Sequence, residues 1–325
     1  MEYFDYIKTL KQEIDGEIRR ILWKKEPATL YGPMFYLLDA GGKRIRPILV
    51  VLSCQAVGGR IKDCIDAALA VELLHSFTLI HDDIMDHDDL RRGRPTVHKR
   101  WDDATAILAG DGLVTLAYST LLKTHHPKIE EVLHEFTNGL ADLCEGQALD
   151  KEFETKEIIS TEEYDVMISK KTARLIEVSC TIGAILGNGD KGDLEIMKRF
   201  ALSLGKAFQI QDDLLDIMSE EDVSGKPRGS DLIRKKKTYL TTYFFNNASP
   251  SIIDRFHQLW NKETLTCEEM SKLIDLLEKS GAVQRAREEV ENRINSAVND
   301  LDGLRPGKAR ETLKHLTYQI QQRVS

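Results

Sequence analysis

"HDDIMDHDDLRRGRP", residues 81–95, sets five aspartates within eight positions and follows them with three arginines. It comes directly after "VELLHSFTLI" (71–80), a stretch that reads as buried core. Two carboxylates about 4 Å apart repel by roughly 4 kcal/mol at an effective dielectric of about 20. A chain that gathers five must offset that repulsion with something. Asp82 and Asp86 are four apart, which on a helix puts both on one face, about one turn from each other. His75 shares that face two turns earlier.

Outward from this run the chain is helical in pattern. "YFDYIKTLKQEIDGEIRRIL" (3–22) and "DCIDAALAVELLHSFTLIHDDIMD" (63–86) repeat apolar residues at helical spacing. So do segments near 102–123, 128–153, 161–187, 192–219, 236–247, 250–261, 267–279, 281–301 and 308–323. No proline lies between Pro127 and Pro227, and no convincing alternating strand pattern occurs. Breaks such as "KKEPATLYGP", "AVGGRIKD", "LGNGDKGD" and "VSGKPRGSD" carry turn residues. Pro47 and Pro250 stand where a helix begins. With no linker, low-complexity segment or repeat to divide it, the chain 1–325 reads as one all-α domain.

A second acidic knot stands in "AFQIQDDLLDIM" (207–218). Asp212 and Asp216 repeat the four-residue spacing, Asp213 repeats the doubled aspartate, and Gln209 shares the face of Asp212. One such knot is most often a solvated helix end. Two, each closing a largely apolar helix and each followed by basic residues, point to hard cations at the mouth of a cavity walled by those helices. Mg²⁺ takes one or two carboxylates, keeps waters and completes its shell with phosphate oxygens. The basic residues fit that chemistry. "GGKRIRP" (41–47) sets Lys43, Arg44 and Arg46 after a glycine pair at a helix start, where backbone N–H groups favour an anion. "RRGRP", "SKKTARL" and "SGKPRGSDLIRKKKTY" add Arg91, Arg92, Lys171, Lys226 and Lys236. Basic groups facing paired acidic knots suggest two phosphorylated ligands, one of them held through Mg²⁺.

Composition narrows the class. Apolar residues make up 42% and charged residues 30%, as in a globular protein with a sizeable core. The net charge of −8 gives no general attraction to nucleic acid or anionic membrane. Five scattered cysteines without a C-x-x-C pair argue for reduced thiols. The first twenty residues carry charges throughout and lack the apolar region of a secretory leader. No uncharged stretch approaches the ~20 residues of a membrane span. A cytoplasmic protein is expected.

Taken together, "GGKRIRP", "LIHDDIMDHDDLRRGRPTVH", "GDGLVTLAY", "KKTARL", "FQIQDDLLDI" and "GKPRGSDLIRKKKTY" resemble, in order and spacing, the motifs of the trans-isoprenyl diphosphate synthases. The resemblance spans nearly the whole chain. It implies a bundle of long helices around a deep central cavity, the isoprenoid synthase fold, and a homodimer. It implies two or three Mg²⁺ ions, ligated by Asp82, Asp86 and Asp212, bridging an allylic diphosphate. Arg91, Lys171 and Lys236 would hold that diphosphate, assisted by Lys226. Lys43, Arg46, His75 and Arg92 would hold isopentenyl diphosphate without metal. Thr172 and Gln209 would turn oxygens towards the allylic carbon as positive charge develops, and the released pyrophosphate would serve as base. The resemblance leaves open whether Asp83, Asp213 and Asp216 ligate metal or support the ligands.

Product length is expected to depend on Phe77, five residues before Asp82 and so roughly 7.5 Å deeper along the helix. An aromatic ring there followed by the small Thr78 resembles archaeal-type geranylgeranyl synthases. The allylic primers implied are dimethylallyl, geranyl and farnesyl diphosphate. The main product implied is geranylgeranyl diphosphate, with some farnesyl diphosphate accumulating. A farnesyl synthase is the nearest alternative. A non-catalytic subunit of a heteromeric synthase would be expected to lose an acidic motif, and both are complete here.

Overall fold

The computed structural model describes residues 2–22, 25–218, 228–262 and 264–321. They are almost entirely helical: α1 (Glu2–Leu22), α2 (Ala28–Asp39), α3 (Ile45–Ala56), α4 (Ile61–Met85), α5 (Val97–Arg100), α6 (Asp103–Leu121), α7 (Ile129–Phe153), α8 (Thr161–Ile168), α9 (Arg174–Leu186) and α10 (Lys191–Met218). Then come α11 (Ser230–Ile233), α12 (Tyr239–Asn247), α13 (Pro250–Trp260), α14 (Cys267–Lys279), α15 (Ala282–Asp300) and α16 (Lys308–Gln321). The strands among the described residues are two-residue β1 (Leu90–Arg91) and β2 (Arg94–Pro95), paired antiparallel. Arg92 and Gly93 join them with φ of 53° and 72°, the positive pair that a two-residue hairpin turn needs.

Two elements depart from the periodicity reading. "LYGP" falls inside α2, which starts at Ala28 and carries Pro33 within it. Burial of Met34, Leu37 and Leu38 outweighs the local preference against helix there. The stretch 161–187 is not one helix: α8 and α9 are joined by a π-helical turn, Ser169–Ala173.

The chain forms two compact units, one of residues 1–137, 178–198 and 301–315, the other of residues 138–177, 199–300 and 316–325. In the first, α4 packs most extensively along α6 and also against α3. Its buried side chains run all round it, from Cys64 through Leu74 to Ile80, as in a helix at the centre of a core. By length and composition α4 and α6 would each suffice to cross a membrane, but Asp66 and Glu72 interrupt α4 and Asp111 interrupts α6, so neither holds an uncharged apolar stretch of that length. In α4, 67% of that apolar window is buried in the fold. In the second unit Phe200, Phe244 and Phe256 are fully buried, and the last two rings pack with centroids 4.6 Å apart. All five cysteines carry free thiols.

One charged group sits deep in the first unit. Arg44, 4% exposed with φ of 52°, precedes α3 and bonds Glu72 of α4 at 2.6 Å, Asp15 of α1 at 2.8 Å and the Leu38 carbonyl of α2 at 2.7 Å. Four elements thus meet on one guanidinium, which fixes the "GGKRIRP" loop against α4. Glu72→Ala would leave that buried charge short of its closest partner. It is expected to lower unfolding stability by about 3–5 kcal/mol, read from the urea midpoint. A change below ~1 kcal/mol would contradict this role for the pair.

Candidate active site

The last turn of α4 carries Asp82 and Asp83, and Asp86 follows as the C-cap, its N–H donating to the Asp82 carbonyl at 2.8 Å. A helix C-terminus is already partially negative, so carboxylates gathered there are unfavourable until cations offset them. The chain itself offsets one. Asp83 is buried, and its Oδ1 accepts from Arg91 Nε at 2.7 Å and lies 2.6 Å from Nη2. Burial pulls the Arg91 pKa down, but the hydrogen bond and the charges of Asp83, Asp88 and Asp82 outweigh it and leave it raised. Asp82 and Asp86 are half-buried.

The hairpin that delivers Arg91 also delivers Arg92, whose guanidinium donates to the Gly41 carbonyl. Gly42, at φ +147°, makes room for that contact: a Cβ there would stand 2.9 Å from Arg92 Nη2. Lys43 next to it is exposed. Arg46 Nη1 lies 3.1 Å from His75 Nε2. Arginine can only donate, so Nε2 accepts and the imidazole is the Nδ1–H tautomer. Burial lowers the His75 pKa well below its ordinary value, and the charges of Arg46, Arg92, Arg91 and Arg44 lower it further. The Arg92 pKa is also lowered, first by burial and then by Arg44. Guanidinium charge this concentrated around a neutral imidazole is the electrostatic setting of an anion site. Phe77, one turn before His81, is half-buried.

The second unit holds the other acidic set. The π-helical turn carries Lys171 and Thr172, and such turns are frequent at functional sites. Lys171 forms an ion pair with Asp150, near the end of α7. Thr172 Oγ1 donates to Gln209 Oε1 at 2.6 Å, and Gln209 Nε2 donates to Asp213 Oδ1 at 2.9 Å. The other oxygen of Asp213 accepts from the Tyr164 hydroxyl at 2.6 Å and the Tyr239 N–H at 2.7 Å. Burial pushes the Asp213 carboxyl up to about 7, against three hydrogen bonds that favour its charged form. Asp216 accepts from the Ser230 hydroxyl at 2.7 Å and the Asp231 N–H at 3.1 Å, tying the end of α10 to α11. Asp212 and Lys236 are half-buried; Lys226 lies outside the described residues.

Of the residues singled out from sequence, Lys43, Arg46, His75, Phe77, Asp82, Asp86, Arg91 and Arg92 fall in the first unit, and Lys171, Thr172, Gln209, Asp212 and Lys236 in the second. Asp150 and Tyr164 were not singled out; neither belongs to a motif with a chemical signature of its own. Asp83, Asp213 and Asp216 are each engaged by protein donors. Among the described residues no three His, Cys, Asp or Glu side chains form a ready-made metal cage. What α4 offers, two half-buried carboxylates one turn apart, suits Mg²⁺ more than a closed transition-metal site.

The sequence profile of the polyprenyl synthetases matches residues 27–277. The chain belongs to that family. A geranylgeranyl diphosphate synthase of Methanosarcina mazei is 37% identical over 94% of this chain and 93% of its own. A geranylfarnesyl diphosphate synthase of Natronomonas pharaonis is 39% identical over 90% and 89%. The crystal structure of the geranylgeranyl pyrophosphate synthetase of Pyrococcus horikoshii, 38% identical, superposes with a TM-score of 0.94 over 99% of this chain and 100% of that one. This polyprenyl synthetase thus has the all-α isoprenoid synthase fold.

Within it, Tyr164→Phe would leave buried Asp213 with two donors in place of three. The variant is expected to lose about 1–3 kcal/mol of unfolding stability, measured by urea denaturation. An unchanged midpoint would mean that the Tyr164 hydroxyl does not hold Asp213.

Proposed function

We propose that this chain is a Mg²⁺-dependent, head-to-tail short-chain prenyltransferase that joins isopentenyl diphosphate to dimethylallyl, geranyl and farnesyl diphosphates. Geranylgeranyl diphosphate is its main product, with some farnesyl diphosphate. The observation that carries this reading is the Asp83–Arg91 pair, which joins an acidic helix end directly to a cluster of guanidinium groups. Cation-seeking and anion-seeking groups side by side suit a metal-bound diphosphate next to a metal-free one.

Asp82, Asp86 and Asp212 are the proposed Mg²⁺ ligands, and the bound ions would supply positive charge to the departing pyrophosphate. Arg91, Lys171, Lys226 and Lys236 bind the allylic diphosphate. Lys43, Arg46, His75 and Arg92 bind isopentenyl diphosphate. As the neutral tautomer with Nε2 occupied by Arg46, His75 has Nδ1–H to donate to a phosphate oxygen. Thr172 spends its proton on Gln209, so the lone pairs of its hydroxyl remain as a fixed negative dipole for the allylic carbon. The allylic C–O bond breaks, its electron pair leaves with pyrophosphate, and the isopentenyl double bond attacks the carbon cation. Pyrophosphate then takes the proton whose loss forms the new alkene.

The two units are proposed to act as one catalytic domain. The chain changes unit inside α7, α9, α10 and α16, so neither unit is a contiguous piece of sequence. A homodimer is proposed from the family resemblance, and a cytoplasmic location from the scattered, unpaired cysteines. Product length is proposed to depend on Phe77. Relatives of nearly equal identity carry names for different products, so overall similarity does not set the length.

Asp82→Ala tests the metal role. The variant, shown folded by circular dichroism, is expected to lose roughly 10²–10³-fold in kcat or more. Turnover near wild type would remove Asp82 from the metal site.

A further inference from the structure

Phe77 stands on α4 one turn before His81, and the two rings meet edge to face, with centroids 4.7 Å apart and planes at 69°. The imidazole is held from its far side of the contact as well. Its Nε2 lies 3.4 Å from the Ile107 carbonyl of α6, an acceptor, so Nε2 carries the proton in this arrangement. Gly110, one turn further along α6 and buried, leaves the space the imidazole occupies. A Cβ at Gly110 would fall 2.2 Å from Nε2 and 2.5 Å from Cδ2. No side chain at 110 is compatible with the present position of that ring.

An apolar residue at 81 would fill the space between α4 and α6 but would have no N–H for Ile107. Imidazole supplies both an edge for Phe77 and a polar tether to the other helix. Aromatic pairs prefer this edge-to-face arrangement, and tethering one member restricts the other. The orientation of the Phe77 ring is therefore set by α6 as well as by α4.

We propose that His81 and Gly110 determine product length by bracing the Phe77 ring in one orientation. Both are positioning residues: neither needs to touch the growing chain. The inference rests on the reading of Phe77 as the residue that limits the product.

The test is product sizing with isopentenyl and farnesyl diphosphates, comparing wild type with Phe77→Ser, His81→Ala, Gly110→Ala and the His81→Ala/Gly110→Ala double variant. Phe77→Ser and His81→Ala are both expected to raise the ratio of twenty-five-carbon to twenty-carbon product by roughly tenfold, the discrimination that a small change in an apolar pocket carries. Gly110→Ala is expected to move the ratio in the wild-type background and to add nothing once the imidazole is gone. If Phe77→Ser lengthens the product while His81→Ala and Gly110→Ala leave the wild-type ratio, the brace is overturned and Phe77 keeps its role. An unchanged ratio in Phe77→Ser overturns the Phe77 reading, and the brace with it. An equal shift from Gly110→Ala in both backgrounds means the glycine acts without His81, which also overturns the proposal. Should Gly110→Ala fail to fold, His81→Phe keeps a ring and loses the tether; a wild-type ratio in that variant excludes the tether.

Discussion

Negative charge at the negative end of a helix is the constraint around which the acidic set of each unit is organised. α4 and α10 each finish in a set of aspartates, where the backbone carbonyls already point outward. Left alone, these ends would repel themselves. The protein answers by dividing the work among the carboxylates. Asp83 is neutralised by Arg91, Asp213 is surrounded by three donors, and Asp216 caps the start of α11. Two of these aspartates fix neighbours that the proposed chemistry needs: Asp83 fixes the hairpin with Arg91 and Arg92, and Asp213 fixes Gln209 and through it Thr172. Asp82, Asp86 and Asp212 are the members proposed for cations.

The basic side of the first unit follows the same economy. Arg44 does not belong to the proposed binding set, yet it is the most deeply buried cation there among the described residues, anchored on three helices. Its neighbours Lys43 and Arg46 inherit their placement from it. With Arg91 and Arg92 close by, His75 is pushed towards neutrality. A neutral imidazole suits an anion site better than a fifth cation would, because it donates one directed hydrogen bond without adding to the repulsion among the guanidinium groups.

Much of this was legible in the residues. Helical periodicity and the spacing of Asp82, Asp86, Asp212 and Asp216 required only the geometry of a helix, and the order of six motifs led to the family. What stayed out of sight depended on distance in space. Periodicity ran straight through 169–173 because a π-helical turn adds one residue to a turn without changing the character of the side chains. "LYGP" read as a break because local preference cannot register the burial of Met34, Leu37 and Leu38. Lys171 and Asp150 lie twenty-one residues apart, and Tyr164 and Asp213 forty-nine; no local pattern announces such partners. For the same reason the donors that hold Asp83, Asp213 and Asp216 could not be read from the doubled aspartates themselves.

The central claim is that these charges serve carbon–carbon bond formation between two diphosphates. The most direct measurement incubates the purified protein with isopentenyl diphosphate and, in parallel, dimethylallyl, geranyl or farnesyl diphosphate, with and without Mg²⁺. The products are dephosphorylated and sized. The account predicts twenty-carbon product that disappears when Mg²⁺ is removed. Diphosphate binding in the presence of Mg²⁺ with no chain elongation from any primer would contradict it.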